Sequence, residues 1–216
     1  MRPASICLLA LLAACSVRQL EHMQRWHGAA DIEMEARGIR RDQPDTTTRD
    51  TADAGLSVRA QGGPGRLGFA LGLDVHAGAG THGGFAYDAA FRPLGAGLDL
   101  GGLGALAVTA GIGTAGITGQ EPTRLRLPLE LRLEVDLHPR MHVRVFGDVD
   151  GHHRDRHAGF ALRLGKGGQR YNERWGNGAY LGVLVGDHDH DHSIGLVLGY
   201  GITDRYVPDL AEPRGL

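Results

Sequence analysis

Leu125-Arg126-Leu127-Pro128-Leu129-Glu130-Leu131-Arg132-Leu133-Glu134-Val135-Asp136-Leu137 alternates without a break. Every odd position is apolar, and the even ones are charged apart from Pro128. A period of two puts one set of side chains on each face of an extended strand, which a helix of period 3.6 cannot do. The same rhythm appears earlier, where Leu67, Phe69, Leu71, Leu73 and Val75 alternate with Arg66, Gly68, Ala70, Gly72 and Asp74. Further strands are expected near 84–93, 97–112, 141–150, 157–166, 178–187 and 193–202, with turns at Pro93 to Ala96 and His138 to Arg140. Ala30 to Gly38 and Gly55 to Gln61 add a weaker hairpin, joined by Gly62-Gly63-Pro64-Gly65. The fold class this predicts is all-β, an antiparallel up-and-down β-barrel of 8 to 10 strands over residues 30–202.

Which face lies inside decides what kind of barrel it is. A soluble ligand-binding barrel turns its apolar face inward, whereas a membrane barrel turns it to lipid and keeps a polar lumen. Outside residues 123–137 the second face is mostly Gly and Ala with scattered Asp, Arg or His, as in Gly159, Ala161, Arg163 and Gly165. A water-facing strand normally carries Lys, Thr, Ser and Glu, yet Lys166 is the one lysine of the sequence. Small residues with a few long charged ones suit a narrow lumen, where side chains must fill a fixed volume. Arg126, Arg132, Arg144 and Arg163 are then expected to pair inside with Glu130, Glu134, Asp136 and Asp148, because an unpartnered buried charge is costly. Eight to ten strands leave no room for a wide solute channel. The working expectation is a membrane-embedded barrel with a structural or binding role. The alternative is a tethered soluble barrel that holds a small apolar ligand.

The amino terminus reads as an export signal: Arg2, an apolar run from Ile6 to Leu12, then small residues before Cys15. Seven apolar residues fall well short of the roughly 20 that span a bilayer. Leu12-Ala13-Ala14-Cys15 resembles the lipobox of bacterial lipoproteins. That resemblance implies a signal peptide over 1–14, cleavage before Cys15, and acylation of Cys15 as a membrane-lipid anchor. In that family an Asp after the cysteine commonly retains the protein in the inner membrane. Ser16 here implies the outer membrane instead. Residues 15–29 then form a tether and 203–216 a tail. The last strand, Ser193-Ile194-Gly195-Leu196-Val197-Leu198-Gly199-Tyr200, resembles the assembly signal of bacterial outer-membrane barrels, which implies the outer-membrane bilayer as the partner of the body.

Composition excludes other classes. Cys7 lies in the signal and Cys15 would be acylated, so the mature chain has no cysteine pair for a disulfide. A formal net charge of -2 argues against nucleic acid as a partner. Gly78-Ala-Gly80-Thr-His-Gly83 and Gly111-Ile-Gly113-Thr-Ala-Gly116 match a dinucleotide-binding pattern, but neither stands between a strand and a helix. Serine is scarce after the signal, at Ser16, Ser57 and Ser193, and no Gly-x-Ser-x-Gly elbow occurs. Ser193 and His192 are chain neighbours in a strand and point to opposite faces. No catalytic residue is assigned, and no cofactor is required.

The twelve histidines are clustered. His152, His153 and His157 flank one connection, and His188, His190 and His192 alternate with Asp in another, both at the same barrel end. Imidazole with carboxylate suits Zn, Ni or Cu. The spacing lacks the pattern of a structural zinc site, and a solvated hydrophilic loop explains these residues without any metal.

Overall fold

The computed structural model describes residues 27–42, 49–63, 65–80, 83–118, 121–138, 141–150, 156–170, 173–188 and 191–206. The strands are β1 His27–Asp42, β2 Arg49–Gly63, β3 Leu67–Gly80, β4 Phe85–Asp99, β5 Gly104–Ile117, β6 Glu121–Arg126, β7 Pro128–His138, β8 Met141–Asp150, β9 Arg156–Arg170, β10 Glu173–His188 and β11 Asp191–Tyr206. They form one antiparallel sheet in which neighbours in sequence are neighbours in space, and β1 pairs with β11 to close it. β6 pairs with the Gly113–Ile117 half of β5 and β7 with its Gly104–Ala110 half. The two are therefore a single stave interrupted at Leu127, and the barrel has ten staves. At the interruption the Leu127 N–H donates to Asp150 Oδ1 at 3.0 Å instead of to the ladder.

With ten up-and-down staves, both chain ends leave from one rim, called here the terminal end; the opposite rim is the loop end. β1 begins three residues before the expected boundary at 30, and β11 runs four residues past the expected end at 202. Ala30 to Gly38 and Gly55 to Gln61 do pair, as Ala36 with Ala54 and Ala30 with Ala60. Gly62 to Gly65, however, leads from β2 into β3 and does not close that hairpin. The Arg40 to Asp53 region, which composition alone marks as a loop, includes the ends of both strands. The expected turn at Pro93 to Ala96 is absent. β4 runs straight through it, with register shifts against β3 and β5 that both bracket Pro93. A proline has no N–H for the ladder, and a bulge is where that loss is tolerated within a sheet.

Burial is inverted relative to a soluble domain. In β7 the leucines Leu129 and Leu131 are about half exposed, whereas Glu130, Arg132 and Glu134 are 4 to 5 % exposed. The same holds around the wall, where Leu56, Val75, Phe91, Val108, Val145, Phe160, Val183, Leu196 and Leu198 all face outward. Phe69 and Trp175 lie exposed toward the terminal end and Phe85 toward the loop end, while Tyr206 is buried and Tyr171 lies outside the described residues.

The glycines follow from the lumen's width. Tyr180 lies directly opposite Gly199, Phe146 opposite Gly159, His76 opposite Gly55 and His157 opposite Gly186 in the cross-strand register. In each pair a Cβ on the glycine would run into the facing ring. Each large inward side chain lies down across the strand beside it, and only glycine leaves the space.

Candidate functional site

The lumen is filled by charge. Near mid-height Arg59 on β2 donates to Asp74 Oδ1 at 2.6 Å and grips Glu130 with two bonds at 2.8 and 2.9 Å. Arg92 on β4 pairs with Asp74 and reaches Glu130 at 3.1 Å and Asp148 at 3.3 Å. Arg126 continues the set to Asp148 at 3.2 Å and Asp88 at 2.8 Å.

Toward the terminal end Arg132 pairs with Glu134 and lies 3.5 Å from Asp31. Arg144 pairs with Glu33, its guanidinium carbon 5.4 Å from the Phe146 ring centre and 5.2 Å from that of Tyr180. Cation–π contact of this kind lets a flat guanidinium pack among rings without giving up its carboxylate. Lower still, Asp136 is held by Arg205 at 2.9 Å and by His142 Nδ1 at 2.6 Å. At the terminal mouth His27 Nδ1 lies 2.5 Å from Asp99.

All eight residues expected to supply lumen charge lie on inward positions, but the pairing is only partly internal to that set. Arg126 meets Asp148 and Arg132 meets Glu134. Glu130 belongs to Arg59 and Arg92, Asp136 to Arg205 and His142, and Arg144 to Glu33. Arg163 bonds to the Thr203 hydroxyl. The missing partners sit mainly on β1 to β4. In β1 the run Asp31-Ile32-Glu33-Met34-Glu35-Ala36-Arg37 carries the same charged-apolar alternation as β7 and is the signal that would have located the partners on that strand.

Free space is unequal between the two ends. Toward the loop end a vestibule of about 180 Å³ is lined by Arg37, Asp53, His76, Asp88, Arg126 and His157, among others. Among the described residues, three cavities toward the terminal end measure about 10 to 30 Å³, room for a water or two each. Three residues that line one of these small cavities each carry a buried atom without a protein hydrogen bond: Thr109 Oγ1, Asp31 Oδ1 and Arg132 Nη1.

No family model matches the chain, and no curated protein is similar to it in sequence. Several solved barrels are similar in outline. Ail, the attachment invasion locus protein of Yersinia pestis, is 12 % identical over 82 % of this chain and 98 % of its own, with a TM-score of 0.43. The translocator domain of the autotransporter NalP from Neisseria meningitidis is 11 % identical over 92 % and 95 %, with a TM-score of 0.41. Neisserial surface protein A is 10 % identical over 81 % and 97 %, with a TM-score of 0.36.

The lining itself separates the two kinds of barrel. A barrel built to hold an apolar ligand in water needs an apolar cavity and a hydrated exterior. This chain has a charged interior and a band of Leu, Val, Ile and Phe outside, which is the pattern of a barrel in lipid. The expectation of a soluble apolar-ligand barrel is thereby overturned.

The histidines divide. His157 faces the vestibule, and His192 is exposed with Nδ1 3.7 Å from Asp187. His152, His153 and His190 lie outside the described residues, as does the side chain of His188. Among the described residues no group of three or more metal-ligating side chains converges. Residues 1–26, with Cys15, also lie outside them.

Proposed function

We propose that this chain is a bacterial outer-membrane barrel that does not conduct, tethered in addition by a lipid on Cys15. Its role is structural or binding, exercised at the loop end. The observation that carries the reading is the inverted burial, with apolar side chains around the outside and paired charges within. An apolar exterior of this extent in water would be an aggregation surface, whereas a bilayer covers it. The strands, mostly 14 to 16 residues, exceed the roughly 9 to 11 that cross a membrane, so the rims stand clear of the hydrocarbon. The closely packed ion pairs of the terminal half support a barrel closed to hydrated solutes. The anchor rests on Leu12 to Cys15 and on Ser16. Zn, Ni or Cu capture by the His-rich connections would be an accessory property of the loop end.

Single-channel recording of the full chain in planar bilayers tests this function. The expected trace lacks steps of the size an unfilled ten-strand lumen would give. Steady ohmic conduction of salt through the wild-type chain would overturn the closed reading and make the barrel a pore.

A further inference from the structure

Six of the charges lining the vestibule form a row that alternates in sign across five strands. Asp53 on β2 accepts from Arg37 Nε on β1 at 2.7 Å. Arg37 faces Asp88 on β4, which accepts from Arg126 on β6 at 2.8 Å. Arg126 also donates to Asp148 on β8 at 3.2 Å, and Asp148 accepts from Arg92 on β4 at 3.3 Å. One link in this row is too long. Arg37 Nη2 and Asp88 Oδ2 stand 3.9 Å apart, beyond hydrogen-bond reach. Asp88 is also the most open carboxylate of the row, its side chain 27 % exposed against 9 % for Asp53 and 13 % for Asp148. The vestibule therefore meets the row at the gap between a guanidinium and a carboxylate.

A guest lying over this gap must offer an acceptor to Arg37 and a donor to Asp88. A lone anion would suit the guanidinium but stand beside a carboxylate, and a lone cation would do the reverse. Water and sugar hydroxyls answer both, with bonds about half as strong as those between charged partners. A zwitterion answers both with charge and leaves the sign balance of the row unchanged. The walls nearer the mouth are apolar. Ile39 follows Arg37 on the inward face of β1, and Leu184 on β10 stands at the same height, since both register with Gly195. Ile117 on β5 registers with Ala86, one inward step above Asp88 on β4. All four line the vestibule, so an apolar collar stands over the charged row. Apolar walls with a few placed polar groups are the usual make-up of a small-molecule site. On the loop-end binding role proposed above, we infer that the vestibule binds an α-amino acid with an apolar side chain. Its carboxylate lies on Arg37, its ammonium on Asp88, and its side chain against Ile39, Leu184 and Ile117.

Equilibrium dialysis of the full chain in detergent micelles against radiolabelled leucine tests this. Saturable binding is expected. Unlabelled isoleucine should compete for it. Isovalerate and isoamylamine keep the apolar tail with one charge each, and should compete about 10-fold less well or worse, the scale of one lost hydrogen bond to a charged group. Glucose should not compete. Arg37→Gln and Asp88→Asn should each weaken leucine binding by a similar factor, with circular dichroism showing that the barrel is retained. Ile117→Ala should weaken leucine more than glycine, which has no side chain to seat. The competition series on the wild-type chain stands without any variant. Absent saturable leucine binding, equal competition by either single-charge analogue or by glucose, or full affinity in folded Arg37→Gln or Asp88→Asn overturns the proposal. A barrel that stays shut to salt yet ignores leucine removes the ligand and leaves the closed outer-membrane reading in place.

Discussion

Arg59 and Glu130 are 71 positions apart and stand on nearly opposite walls of the barrel, yet they meet in a two-pronged ion pair, Nε to Oε1 at 2.9 Å and Nη2 to Oε2 at 2.8 Å. A bidentate pair fixes both position and angle, so this one acts as a strut across the lumen. Arg92 braces it at 3.1 Å from Glu130, and Asp74 closes the group on the other side of both arginines.

Glu130→Ala should therefore be among the most damaging single charge deletions. It leaves two buried guanidiniums short of a carboxylate, with a cost of about 3 to 5 kcal/mol when a buried pair is broken one-sidedly. His192→Ala removes one member of an exposed pair with Asp187 and should stay within about 1 kcal/mol. Urea unfolding of both variants from lipid vesicles checks the contrast. Small and equally salt-sensitive effects for the two would mean that the lumen face is solvated.

The exterior gives the opposite sensitivity. Leu131 and Leu196 are more than half exposed on β7 and β11. Arg at either position should cost about 2 to 4 kcal/mol of insertion if it lies near the bilayer midplane, and less toward a rim. Folding yield into vesicles, compared with Leu→Ala at the same sites, measures it. Yields for the two Arg variants that match those of their Ala controls would place these leucines outside the hydrocarbon.

Much of the fold could be read from alternation because lipid and lumen impose opposite demands on successive residues. Leu125 to Leu137 shows both demands at full strength, and its even positions located the lumen charges of β6 and β7. Pro93 misled for a local reason, since a bulge absorbs a proline that would end a regular ladder. The other half of each ion pair was harder to see. Asp74, Asp88 and Arg92 are single charges among Gly and Ala, and nothing local says which opposite wall a barrel of unknown register brings to face them. The proposed lipid on Cys15 is a reading of the sequence alone.

The His-rich connections make a separate expectation. Calorimetric titration of the full chain with zinc should give a weak exothermic signal that is lost when His188, His190 and His192 are all changed to Ala. Affinity should fall on acidification, because a protonated imidazole ceases to ligate. Equal heats for the two proteins would leave these residues as a hydrophilic loop.

Whether the barrel itself belongs in lipid, apart from any lipid on Cys15, is decided by the solution behaviour of mature Cys15→Ala protein refolded from denaturant with and without detergent. Monodisperse, β-rich protein in detergent, and aggregation in plain buffer, is the predicted result, because the band of Leu, Val, Ile and Phe needs a hydrocarbon partner whether or not the anchor is present. A folded, monodisperse species in plain buffer would contradict it.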